Sequence, residues 1–188
     1  AHVVECYTSK KATPLSNTYA LAGAKLLFRN IQATYENPDD MEAKNKTLLG
    51  AYYGGIAITG SGTTAVHALS YPLGGKYHIP HGVSNAILFA HVMDFNRSAC
   101  ETELAELCDE VYPELSGKSV GEKSCYIIQK IAEIVKTTNI PTDLSQFGIT
   151  AEDLDFLVEA GSQQTRLLVN NKQELSKDDI REIYKKVL

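Results

Sequence analysis

Apolar residues recur along this chain at three- and four-residue intervals, and that spacing predicts helices along most of its length. Ile127, Ile128, Ile131, Ile134 and Val135 share one helical face, and the pattern fails at Thr137-Thr-Asn-Ile-Pro141. Ile180, Ile183, Tyr184 and Val187 form a second face behind Ser176-Lys-Asp-Asp179. That tetrad reads as a capping box, in which the Ser and Asp side chains satisfy free N–H groups reciprocally. Thr150-Ala-Glu-Asp153 repeats the device ahead of Leu154, Leu157 and Val158, with Gly161 placed to stop the helix. Thr18 to Phe28 is a further helical run, rich in Ala and Leu. Asn37-Pro38-Asp-Asp40 reads as an N-cap, a proline in the first turn and acids at the positive dipole end, opening a helix through Ala51 and Tyr52 toward Ile58. No segment alternates convincingly as a strand does. The expected fold class is all-α.

Two local features disturb this regular picture. Eight of the thirteen glycines lie between Gly50 and Gly82. Glycine lets backbones approach closely at a cost to helix stability, so this stretch serves either a tight helix crossing or the wall of a cofactor or substrate site. Gly60 and Gly62 are the candidate cofactor-binding positions. The second feature is histidine: three of the five fall within "VHALSYPLGGKYHIPHG", residues 66–82. His67 belongs to an expected helix over Thr63 to Ser70 that ends near Tyr71-Pro72, and Gly74 and Gly75 then turn the chain. Pro80 suits the first position of the next helix, with His81 in its first turn ahead of Val83, Ala86, Ile87, Ala90 and Met93. Such a hairpin can set His67 and His81 face to face, where two imidazoles could share a divalent cation. Both could equally be packed or solvated histidines, the reading that fits His78 and His91. No HExxH motif occurs, which removes the commonest hydrolytic zinc arrangement.

Composition narrows the classes. The 188 residues make one ordinary domain, with 44% hydrophobic and 22% charged residues. A net charge of −5 leaves no basic stripe for nucleic acid. The four cysteines, Cys6, Cys100, Cys108 and Cys125, are scattered and read as reduced thiols of a cytoplasmic protein. No apolar run approaches membrane-spanning length and no signal peptide opens the chain, which starts at Ala1 and is expected to be a fragment.

"HALSYPLGGKYHIPHG" followed by "VSNAILFAHVMDFN" closely resembles the signature of the iron-containing (group III) alcohol dehydrogenases. The opening "HVVECYTSKKATPLSNTYA" is similar to that family's Asp-x-x-x-His-x-x-Glu helix and the segment after it. "GITAEDLDFLVEAG" and "LSKDDIREIYKKVL" resemble its closing helices, so the likeness covers essentially the whole chain. The resemblance implies a C-terminal, bundle-like helical domain of the type shared with dehydroquinate synthase, spanning residues 1–188 and carrying most metal ligands. An N-terminal α/β NAD(P)-binding domain, absent here, would be its partner. It also implies three metal-ligating positions, His2, His67 and His81, with a fourth ligand, an Asp, preceding Ala1. Fe(II) or Zn(II) suits such a nitrogen-and-oxygen set.

The implied activity is metal-assisted hydride transfer between NAD(P) and a primary alcohol or hydroxy acid and its aldehyde, in a homo-oligomer. The isolated fragment is expected to be inactive. Tyr71 stands one helical turn after His67, where many relatives carry a second His, and is expected to wall the substrate pocket. Glu5, three residues after His2, reads as a surface acid or a cap partner, or as a contact of a ligand or of a neighbouring helix. Asn170-Asn171 departs from the Asn-Pro usual in relatives. A zinc glycerol dehydrogenase, a dehydroquinate synthase-like domain and a non-catalytic helical metal-binding module are the alternatives, and metal titration separates the last of these.

Overall fold

The computed structural model describes all of residues 1–188 and is helical throughout, with no strand. Its helices are α1 (His2–Tyr7), α2 (Pro14–Glu36), α3 (Met41–Ser61), α4 (Ala65–Tyr77), α5 (His81–Asn96), α6 (Glu101–Val111), α7 (Val120–Thr137), α8 (Leu154–Ser162), α9 (Thr165–Leu168) and α10 (Lys177–Lys185). Short 3-10 turns link several of them. α2 and α3 form a long antiparallel hairpin with α1 laid across both; α4 pairs with α5, α6 with α7, and α8 with α10. α5 also packs on α7, and α4 on α8, which joins these pairs around one apolar core.

Local chemistry sets most of the helix starts. Four capping boxes are present: Thr13 with Ser16 opens α2, Ser119 with Glu122 opens α7, Thr150 with Asp153 opens the 3-10 turn leading into α8, and Ser176 with Asp179 opens α10. α3 starts later than its sequence suggests. Asn37 closes α2, and Asp40 is the residue whose side chain accepts from Ala43 N–H at 2.9 Å. Pro38 therefore lies in the connection between the helices.

α4 is the larger departure. It does not stop at Tyr71-Pro72 but runs on through Pro72, Gly74 and Gly75, ending where His78 takes a left-handed conformation at φ 56°. Pro72 has no N–H to give the preceding turn. Beside that gap the buried Tyr184 hydroxyl donates to the Leu69 carbonyl at 2.6 Å. Surrounding packing covers the cost, because Leu69 and Leu73 are both fully buried. Pro80 precedes α5 as its N-cap residue, and His81 is the first helical residue. Gly161 does not stop α8 either. It lies inside the helix, where an added Cβ would come within 2.9 Å of the Leu69 side chain.

Gly50, one glycine of the rich stretch, has a packing explanation at the α2–α3 crossing, whereas Gly55, Gly75 and Gly82 meet open space. A Cβ on Gly23 would lie 2.8 Å from a Val3 methyl and 3.0 Å from the Gly50 carbonyl oxygen, and one on Gly50 would lie 2.8 Å from Leu27 Cγ. The two helices touch main chain to main chain at this pair. Gly23→Ala is expected to cost about 1–3 kcal/mol through overpacking against atoms that cannot move away. A fall in the urea midpoint would register it, and an unchanged midpoint would contradict the close crossing.

Candidate metal centre

The site forms where α1 meets the start of α4. α3 ends at Gly62, whose φ of 69° suits glycine. A Cβ there would also meet the Asn170 side-chain nitrogen at 3.0 Å. The Asn170 amide donates to the Thr63 carbonyl at 2.9 Å, and the Ser9 hydroxyl to the Ser61 carbonyl at 3.1 Å. These bonds fix the junction, so that α4 begins beneath α1 and its first turn presents His67 to that helix.

Glu5 holds the two elements together. Its side chain is completely buried. One carboxylate oxygen accepts from Thr64 N–H at 3.0 Å, Thr64 O–H at 2.8 Å, Val66 N–H at 3.0 Å and His67 N–H at 3.3 Å. The other oxygen faces His67 Nδ1 in a short hydrogen bond. Burial opposes its ionisation, but the bonds from His67 and Thr64 outweigh it and hold the carboxyl below its ordinary range. Charge at this point also complements the positive end of α4. Of the roles expected for Glu5, it is a cap partner on the neighbouring helix and it also contacts His67; it is not a surface acid.

The three expected histidine positions converge. His2 and His67 rings stack with centroids 4.9 Å apart, and His67 and His81 rings lie 5.1 Å apart at 57°. One nitrogen from each of the three falls within 4.8 Å of the others. His67 Nε2 is buried with no hydrogen-bond partner, an orphaned lone pair of the kind a cation satisfies. Burial, reinforced by the neighbouring His67, lowers His2 to about 4. Burial and His67 also bring His81 below its usual value. Both rings are therefore uncharged at neutral pH, the state in which imidazole coordinates metal. Imidazole nitrogens are a borderline donor set that fits Fe(II) or Zn(II).

The rings line a cleft of about 760 Å³ whose walls include Leu27, Phe28 and Ile31 of α2, Ala86 and Phe89 of α5, and Ile131 and Ile134 of α7. No Lys, Arg, Asp or Glu lines it.

The remaining candidates sit at varying distances from this centre. Tyr71 is half-exposed, with its ring centroid 6.2 Å from that of His81, although it does not line the cleft. Gly60 and Gly62 also lie outside the cleft; Gly60 packs against Ser16 Cβ at 3.2 Å, and Gly62 serves the α3–α4 turn.

A residue-by-residue likeness to known proteins accompanies this geometry. Residues 1–188 match the model of the Fe-containing alcohol dehydrogenase family, C-terminal. The chain belongs to this family. It is 36% identical over 183 residues to "Long-chain-alcohol dehydrogenase 1" of Geobacillus thermodenitrificans (strain NG80-2), covering 97% of this chain and 46% of that protein. It is 27% identical to the "NAD-dependent methanol dehydrogenase" of Bacillus methanolicus, over 100% of this chain and 49% of that one. A solved 1,3-propanediol oxidoreductase superposes at a TM-score of 0.94 with 25% identity, covering 100% of this chain and 49% of its own. The chain thus spans about half the length of the iron-family dehydrogenases it matches.

Asn170 and Asn171 gain a structural role that their sequence did not suggest. Asn171 is buried and exchanges both amide bonds with Asn96, at 2.7 and 2.8 Å, while its amide also donates to the Gln173 carbonyl. Asn171→Ala leaves the buried Asn96 amide without partners and is expected to cost about 1–3 kcal/mol, read as a lower urea midpoint. A midpoint equal to that of the parent would contradict the pairing.

Proposed function

We propose that this chain is the helical, metal-holding half of an NAD(P)-dependent alcohol dehydrogenase of the iron-containing family. The observation that carries the proposal is the convergence of His2, His67 and His81 on one point, with His67 Nε2 buried and unpartnered. In this reading the three imidazoles hold Fe(II) or Zn(II), and an Asp preceding Ala1 in the longer protein adds a fourth ligand. An ion held by these imidazoles would supply Lewis acidity at the oxygen of an alcohol or aldehyde. Membership of a family that includes an "NAD-dependent methanol dehydrogenase" supports the nicotinamide partner.

The chain's own residues bind, orient and exclude water. Leu27, Phe28, Phe89 and Ile131 make the cleft wall apolar, which lowers the local dielectric around the imidazoles. Tyr71 borders His81 from the exposed side, where its phenol can donate a hydrogen bond. The dinucleotide-binding domain belongs to the other half of the protein, and the assembled enzyme is a cytoplasmic homo-oligomer. No helix of this chain is long and apolar enough to cross a membrane.

Titration of the 188-residue chain with Zn(II) or anaerobic Fe(II) tests the site. His67→Ala and His81→Ala are each expected to weaken binding by more than about 100-fold, beyond the loss typical of an outer-shell residue. Parental affinity in both variants would overturn the proposal. The same chain without its other half is expected to show no NAD(P)-linked alcohol oxidation, and robust turnover would contradict the division of labour.

A further inference from the structure

Glu5 is not among the imidazoles, yet its contacts determine what one of them can do. A histidine coordinates through one ring nitrogen, and the partner of the other nitrogen selects the tautomer. For His67 that partner is the second oxygen of Glu5, which meets Nδ1. The first oxygen of that carboxylate already takes four donors, so the group acts as an acceptor. With the ring N–H on Nδ1 directed at the second oxygen, Nε2, which is buried without a partner, is the nitrogen left to coordinate. Neither His2 nor His81 is bonded to a carboxylate; the nearest polar side chain on His81 is Asn85, whose amide nitrogen lies 3.2 Å from Nε2.

We propose that Glu5 is a positioning residue of the metal centre, holding His67 in the Nδ1–H tautomer with Nε2 presented to the ion that His2 and His81 share. The inference rests on the reading that those imidazoles bind one ion. Its strength lies in the first oxygen of the same carboxylate, which accepts from Thr64 N–H and O–H, Val66 N–H and His67 N–H. The carboxylate cannot rotate away from the ring without also releasing the α4 N-terminus. The aim of His67 is thus inherited from a helix cap. If Glu5 served only as a cap, its replacement would cost stability and leave the ring nitrogens and metal affinity alone.

Glu5→Gln separates the two roles. The neutral side chain keeps its shape and one acceptor, but its NH₂ turned toward His67 donates to Nδ1 and drives the ring proton to Nε2, where it blocks coordination. Nitrogen-15 NMR of the metal-free 188-residue chain is expected to find His67 in the Nδ1–H form in the parent and the Nε2–H form in Glu5→Gln. Zn(II) affinity should fall about 10–100-fold in that variant. Thr64→Val, which removes a donor to the first oxygen and leaves the ring contact, is expected to lower the urea midpoint while keeping the tautomer and the Zn(II) affinity. An Nε2–H tautomer in the parent would overturn the proposal, as would Glu5→Gln that retains both the Nδ1–H form and parental affinity. Should Glu5→Gln fail to fold, the parent's tautomer decides alone. His67→Ala keeps the two readings apart: undiminished Zn(II) binding there removes the shared site itself, whereas loss there with none in Glu5→Gln removes only the positioning role.

Discussion

A carboxylate with no exposure to solvent is the contact on which the placement of this domain's helices and histidines depends. Taking an unpaired carboxylate out of water costs several kcal/mol, and Glu5 survives burial because every oxygen contact is a donor on the start of α4 or on His67. The compensation is local and geometrically demanding. α1 is too short to be stable alone, so it is held by this bond set and by its packing on α2 and α3. The same contact therefore fixes helix placement and the orientation of the His67 ring.

From that anchor the rest of the site follows. α4 must begin directly beneath α1, and the left-handed Gly62, the Asn170 side chain and the Ser9–Ser61 bond bring it there. Once His67 is placed, the turn at His78 to Pro80 folds α5 back and sets His81 at the other side of the same point. The long α2–α3 hairpin, drawn tight at Gly23 and Gly50, gives α1 a rigid surface to lie on. The packing of these helices alone thus brings three histidine rings together.

The fold class and the site were legible in the sequence to different depths. Helical periodicity at Ile127–Val135 and the capping boxes at Thr150 and Ser176 located α7, α8 and α10 because these depend on neighbours within a turn. Pro72 misled because a proline's cost in a helix interior is a local tendency, and burial of Leu69 and Leu73 beside Tyr184 overrode it. The approach of His67 to His81 was expected from a hairpin turning at Gly74-Gly75; the rings do meet, but the chain turns instead at His78 to Pro80. His2 could not be placed in this way, since nothing local marks it; only the resemblance to the iron-containing family raised it. Glu5 carried one faint sign, an acid set between Val4 and Cys6 in an apolar helix, but its donors lie about sixty residues away and become visible only when the chain folds.

X-ray absorption at the zinc edge of the Zn(II)-loaded chain examines the central claim most directly, because it counts the ligands and measures their distance. The account predicts three imidazole nitrogens at roughly 2.0–2.1 Å, with the outer-shell scattering of rigid rings and the remaining positions filled by oxygen. A zinc ion surrounded by oxygen alone, or by a single imidazole, would contradict it.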